Sequence, residues 1–173
     1  MGFGDKDRGR RLSAIFETLL QRLLDEALAV YGDSLTSLVV FGSVGRGTPT
    51  ADSDIDILVV AKDLPSGRMP RVRQFDEVER RLDPDLAAAK AEGLSTRLSP
   101  LFRTESEMSL GGLIFLDMVD DARVLLDRNA FFETFINGLR AKLARMKSIR
   151  VRRAGAWHWV LKPDLKPGEV FEI

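Results

Sequence analysis

Two aspartates, Asp54 and Asp56, stand two residues apart at the head of the apolar run Ile55 to Val60, shortly downstream of the pair Gly42-Ser43. Carboxylates beside a buried strand are costly unless a metal, a helix end or water compensates them. Side chains in a strand alternate between faces, so Asp54 and Asp56 share one side while Ile55, Ile57 and Val59 fill the other. The strand rise puts their Cα atoms roughly 6.5–7 Å apart, a spacing at which two carboxylates converge on one magnesium ion or bridge two. Magnesium favours a few carboxylates completed by water and substrate phosphates. Gly42-Ser43, at the end of the preceding strand, offers amide donors, a hydroxyl and a close backbone approach, all suited to the outer phosphates of a nucleotide. Asp52 lies on the same face and reads as a turn cap.

Three better-known loops fail on their own requirements. Gly42 and Gly47 have the spacing of a P-loop, but Thr48 stands where that loop needs lysine. An EF-hand starting at Asp52 would need glycine at Ile57 and glutamate at Asp63, and the intervening residues have a strand pattern. No G-x-G-x-x-G dinucleotide fingerprint occurs.

The elements that must position these residues alternate between helix and strand. Helical spacing of Phe16, Leu19, Leu20, Leu23, Leu24, Ala27 and Val30 predicts an amphipathic helix from Leu12 to Tyr31. Leu38 to Phe41 and Ile55 to Val60 read as buried strands on either side of the glycine loop. A helix through Val72, Phe75, Val78 and Leu82 is expected to break at Pro84, with a short helix following from Leu86 to Glu92. Leu94 to Phe102 predicts a third strand, on an edge or bent because of Pro100. Thr104 and Glu107 have the spacing of a capping box ahead of a helix over Leu110 to Val119. Ala122 to Leu126 reads as a strand, and a long helix runs from Phe131 to about Met146. The fold class is therefore α/β (α+β), a mixed sheet flanked by helices. It is expected as a single domain over 1–173, with a core of about 10–130 and a C-terminal helix and tail over 129–173.

Composition narrows the chemistry. With 26 basic and 26 acidic residues the chain is formally neutral, which gives no bulk attraction to nucleic acid or membrane. It has no cysteine and one histidine, so thiolate metal sites are excluded and a histidine zinc site or serine–histidine triad is disfavoured. No apolar run approaches the ~18 residues of a membrane span, and the N-terminus has no signal-peptide core, so a cytoplasmic protein is expected. The basic residues between Arg140 and Arg153 form a candidate RNA-binding segment. Trp157, His158 and Trp159 read as a strand covering the core.

The segment Gly42-Ser43-Val44-Gly45-Arg46-Gly47, followed by Ser53-Asp54-Ile55-Asp56-Ile57, resembles the signature of the polymerase-β-like nucleotidyltransferase superfamily, above all its small prokaryotic branch. The resemblance implies that Gly42 and Ser43 hold the triphosphate, and that Asp54 and Asp56 are the catalytic metal ligands for one or two Mg²⁺ ions. Arg46 matches a frequent arginine, contacting phosphate or supporting the loop. It further implies transfer of a nucleoside monophosphate from an NTP, most simply ATP, to an acceptor hydroxyl. Such small members often act beside a HEPN-domain protein as the antitoxin half of a toxin–antitoxin pair, some by adenylylating that partner. Active members usually carry a third carboxylate on a later strand, and Leu94 to Phe102 contains none. Glu105, Glu107 or a partner would have to supply it. The alternative is a catalytically weak or inactive protein of the same fold that acts as an antitoxin or regulator by contact.

Overall fold

A computed structural model describes residues 3–153 and 156–165. Helix α1 (Phe3–Tyr31) leads into β1 (Leu35–Phe41), the one-turn helix α2 (Gly42–Gly45) and β2 (Ile55–Ala61). Helix α3 (Arg68–Ala91), β3 (Leu98–Arg103) and the short α4 (Glu105–Met108) follow. A 3₁₀ segment (Leu113–Met118), β4 (Arg123–Asp127), α5 (Phe131–Arg145) and a hairpin of β5 (Ile149–Arg153) and β6 (Ala156–Val160) complete the order.

The main sheet has the order β3-β2-β1-β4. β1 pairs antiparallel with both β2 and β4, and β2 pairs parallel with β3. Every residue of β1 is buried, and all of β2 except Asp56. Both strands are continuous apolar runs because helices cover both faces. Leu38, Val40, Ile55, Ile57 and Val59 pack against Phe16, Leu20 and Leu23 of α1 and Phe75, Val78 and Leu82 of α3. Val39, Phe41, Leu58 and Val60 pack against Phe132, Ile136 and Leu143 of α5 and Phe115 and Met118 of the 3₁₀ segment. Asp56 alternates with Ile55 and Ile57, so it opens on the α5 side.

Pro84 does not end the helix. α3 continues through it to Ala91, although a proline inside a helix forfeits one backbone bond and costs ~3 kcal/mol. Leu82 and Ala89, on either side of it, both bury in the core, and the Arg22 guanidinium of α1 reaches Asp85. Tertiary packing thus outweighs a local start signal, Asp83-Pro84-Asp85. Pro100 sits in β3, an edge strand, where its missing N–H can face outward. That strand starts at Leu98, four residues later than expected, because the segment before it is held by loop contacts. The Ser95 N–H donates to Ala51 O, and Arg97 O accepts from Ile55 N–H.

The capping box is present, but it caps a different helix. Thr104 and Glu107 exchange side-chain and backbone bonds at the start of α4, which stops at Met108. Gly111 and Gly112, at φ 70° and 144°, break the chain before the 3₁₀ segment, so no continuous helix spans Leu110 to Val119. Glu107 also receives a two-pronged pair from Arg71, at 2.7 Å to each oxygen. That guanidinium, with the Thr104 amide, holds the carboxyl down to about 2 from an ordinary 4.5. A lowered carboxylate stabilises the fold above its unfolded pKa and loses that contribution as pH falls through the folded one. Glu107→Gln is therefore expected to flatten the decline in stability between about pH 4.5 and 2, measured by urea unfolding at stepped pH.

Helix α5 begins at two left-handed residues, Asn129 and Ala130 (φ 56° and 53°), with no cap from its own N-terminal residue. Asp127, the last residue of β4, does that work from further back. Its carboxylate accepts from the amides of Phe132 and Glu133 and from the Ser37 hydroxyl of β1, at 2.9, 3.0 and 2.7 Å. Ser37 is fully buried. Asp127→Ala removes a helix cap and orphans a buried hydroxyl, so it should cost ~2–4 kcal/mol and lower the midpoint in thermal unfolding by roughly 5–15 °C.

Candidate active site

Gly42 turns the chain at the end of β1 with φ 69°, a conformation L side chains rarely take. Directly across the ladder, Phe41 pairs with Asp56, and the carboxylate of Asp56 fills the space where a side chain on Gly42 would stand. A Cβ built there falls closer than 3.0 Å to Asp56 Oδ2. Glycine loop and carboxylate are thus one packed unit.

One turn of helix follows. The amides of Gly42, Ser43 and Val44 open that turn, where helical N–H groups have no carbonyl partner within the helix. Arg46 N–H and Thr48 N–H donate back to Gly42 O and Ser43 O at 3.1 and 2.9 Å, closing the loop. The Ser43 hydroxyl donates to Ser53 Oγ at 2.9 Å, and Ser53 Oγ in turn accepts from Thr50 N–H at 2.9 Å. Ser53, the residue before Asp54, therefore ties the two halves of the signature together.

The carboxylates differ in setting. Asp54 is exposed and Asp56 half-buried. Burial pushes the Asp56 carboxyl above its usual range; hydrogen bonding from Ser99 opposes this, Asp54 and Asp117 add to it, and Arg46 opposes it. Asp117 is an exposed residue of the 3₁₀ segment.

Arg46 has a partner the sequence did not name. Its Nη1 donates to Asp121 Oδ2 at 2.9 Å, and Arg150 Nη2 of the hairpin donates to the same oxygen at 2.6 Å. Burial alone would raise Asp121, whose side chain is 7% exposed. The two guanidiniums outweigh burial and hold it below its usual range. The backbone carbonyl of Asp121 also lies under Gly45: a Cβ there would come within 3.0 Å of it and 2.7 Å from Val40 O. Arg46 is thus anchored at the loop's rear while its charge reaches Asp56.

No acid of β3 completes the pair. Ser99 stands opposite Asp56 in the parallel register. Glu105 and Glu107 follow the other end of β3, beyond Arg103, which pairs with Val60. Glu105 accepts from the Thr36 hydroxyl at 2.6 Å, and Glu107 is held by Arg71. Among the described residues no group of three or more His, Cys, Asp or Glu is arranged to hold a metal ion.

The basic segment divides. Arg140 donates to Val119 O and to Asn137, and Arg150 to Asp121, so both are engaged within the chain although Arg140 stays exposed. Trp159 packs on the α5-side core from β6, as a covering strand should; the side chain of Trp157 lies outside the described residues. No helix among the described residues is long and apolar enough to cross a membrane.

Comparison with known proteins decides the family: the model of the nucleotidyltransferase domain matches residues 16–110. The chain belongs to the nucleotidyltransferase domain family. The matched stretch of this nucleotidyltransferase domain runs from α1 to the end of α4 and includes both halves of the signature. A curated Methanocaldococcus jannaschii protein, "Putative protein adenylyltransferase MJ1305", is 27% identical over 147 residues, covering 82% of this chain and 95% of its own. A crystal structure of a toxin–antitoxin complex with AMP-PNP is similar at 18% identity, covering 72% of this chain and 92% of that one, with a TM-score of 0.41. A Sulfolobus solfataricus crystal structure of a "putative nucleotidyltransferase" is similar at 22% identity, covering 74% and 91%, with a TM-score of 0.39.

Proposed function

We propose that this nucleotidyltransferase domain transfers AMP from Mg·ATP to a hydroxyl of an acceptor protein. The hydroxyl oxygen bonds to the α-phosphorus, the bond from that phosphorus to the α–β bridging oxygen breaks, and pyrophosphate leaves. The hydroxyl proton passes to water or to a base of the partner. The observation that carries the reading is the interlock of Gly42 with Asp56. Phosphate-facing amides and metal-facing carboxylates meet at one point, with a geometry that a single methyl group would spoil. The similarity to a protein named as a protein adenylyltransferase supports the choice of AMP and of a protein acceptor. The acceptor class implied by the sequence resemblance is a HEPN-domain protein.

The donor set fits magnesium. Asp56 is half-buried beside Asp54 with its carboxyl pushed up, so a divalent cation would relieve a charge the fold leaves uncompensated. Two carboxylates and no nitrogen or sulfur donor match an ion that takes its remaining ligands from phosphate and water. Bound there, it would neutralise the phosphates and align them for in-line displacement. The amides of α2 would receive the β- and γ-phosphates, and the Ser43 hydroxyl would exchange its bond to Ser53 for one to the same group. Arg46 would add positive charge from the rear of the loop. Positioning and charge neutralisation carry most of phosphoryl transfer. The general base that Ser99 cannot supply, worth ~10²–10⁴-fold, would come from the partner, since Glu105 and Glu107 are engaged elsewhere.

Calorimetric titration of ATP with and without magnesium tests the reading. Magnesium-dependent binding, followed by movement of α-labelled phosphate from ATP to a co-expressed partner, is expected. Absence of nucleotide binding in every condition would overturn it. Ser99, in place of an acid, favours one rival: a regulator acting by contact. Neutralisation of a partner by the Asp54→Asn/Asp56→Asn variant would establish that rival.

A further inference from the structure

Two cavities of about 330 and 520 Å³ lie along one side of α5. Ser109 and Phe135 line both, so they form one groove between α5 and the α4–Gly112 loop. Its length follows the helix, 15 residues or ~22 Å. The middle is apolar: Phe115 and Phe135 meet edge to face at 4.8 Å, with Leu139 beside them. On its lip the loop holds Leu110 and Leu113 out to solvent, 82% and 66% exposed. Side chains this large and this exposed, on adjoining turns beside a groove, mark an interaction surface.

Both ends of the groove are cationic. Lys142 and Arg145 line one end, Lys62 and Arg128 the other. Among the described residues Lys62, Lys142 and Arg145 have no ion-pair partner, whereas Arg128 is turned to Asp33. Among the described residues the only carboxylate lining either cavity, Glu105, is engaged by Thr36. An apolar centre between basic ends complements a segment with apolar side chains in its middle and carboxylates at its flanks. Helix-in-groove recognition works in this way.

The groove also adjoins the site. Leu113 opens the 3₁₀ segment on the groove's lip, and four residues on, ~8 Å by 3₁₀ rise, stands Asp117, whose charge acts on Asp56. We propose that the groove along α5 docks an acidic amphipathic segment of the acceptor protein. It thereby presents a neighbouring hydroxyl to the Asp54–Asp56 site. Naming the occupant as the acceptor rests on the transfer reading above; the recognition chemistry does not. Nucleic acid is the poorer fit, since the exposed leucines have nothing to bind on a phosphate backbone.

Fluorescence anisotropy tests the proposal with a labelled synthetic helical peptide bearing Leu and Phe along one stripe and Glu on its flanks. A peptide with Lys in place of Glu and a single-stranded RNA serve as controls. Saturable binding of the acidic peptide is expected. It should weaken at least about tenfold (~1.4 kcal/mol) in Lys142→Glu/Arg145→Glu, and likewise in Leu110→Ser/Leu113→Ser. All four positions are surface side chains outside the nucleotide site, so ATP titration should be unchanged in both variants. No saturable binding by the wild type, or binding indifferent to both variants, overturns the proposal. Preferential RNA binding that ignores the leucine changes would make the surface a nucleic-acid site. A wild-type dimer in sedimentation that is lost in Leu110→Ser/Leu113→Ser would make a second copy the occupant. Peptide binding that persists in a protein unable to bind ATP would sink the transfer reading alone and leave the docking surface standing.

Discussion

On the transfer reading proposed above, Asp54→Asn and Asp56→Asn are each expected to reduce AMP transfer by at least ~10³-fold, because each would remove a charged metal ligand worth several kcal/mol in the transition state. The two changes should part company in stability. The Asp56 carboxyl is raised in the folded protein, so its ionised form is disfavoured there. Stability linked to it is full below the unfolded pKa and falls as pH rises through the folded one. At neutral pH the wild type bears that cost, and Asp56→Asn removes it. Without metal or nucleotide, Asp56→Asn should melt a few °C above wild type, whereas exposed Asp54→Asn should move little. Magnesium should reverse the order, since only the wild type gains from binding it. Thermal unfolding with and without magnesium reads all of this; an Asp56→Asn protein less stable than wild type in the absence of metal would show that the carboxylate is structural.

Two glycines three residues apart should fail in different ways. At Gly42 an added Cβ meets only the end of the Asp56 side chain, which can swing away. Gly42→Ala should therefore fold, at ~1–2 kcal/mol for the left-handed backbone, and lose ~10²-fold or more in transfer as the carboxylate is displaced by about an ångström. At Gly45 the added Cβ meets the backbone carbonyls of Asp121 and Val40, which cannot move without the strand. Gly45→Ala should cost ~2–4 kcal/mol and show its loss first in the melting curve. Comparing kcat with Tm for the pair separates the effects. Equal loss of stability in both would contradict the interlock at Gly42.

The position of Asp56 opposite Ile55 and Ile57 was legible because strand alternation is strict: Ile55, Ile57 and Val59 do fill the opposite core, while Asp54 stands just ahead of β2. The same holds for β1, β2, α1 and α5, whose patterns are long or fully apolar. Pro84 misled because its local signal is real, and it is overridden by the burial of Leu82 and Ala89 against the rest of the core, which no local window contains. Thr104 and Glu107 gave the cap correctly and its helix wrongly, since Gly111-Gly112 had already used the backbone freedom that ends it. Asp121 was invisible as a partner of Arg46. It lies 75 residues away, in the polar stretch Asp120-Asp121-Ala122-Arg123, where nothing local hinted at burial. Asp127 had no signal at all, because it caps from four residues before the first residue of the helix.

Arg150 sets a schedule for the site. Both halves of the signature leave the ribosome early, yet the buried Asp121 carboxylate behind the glycine loop has only one of its two guanidiniums until the hairpin is made. At typical synthesis rates the stretch from Asp121 to Arg150 takes on the order of 1–6 s. A nascent chain therefore spends seconds with its phosphate loop resting on a half-neutralised acid. Nucleotide binding would be the last property such a chain acquires, well after its sheet has formed.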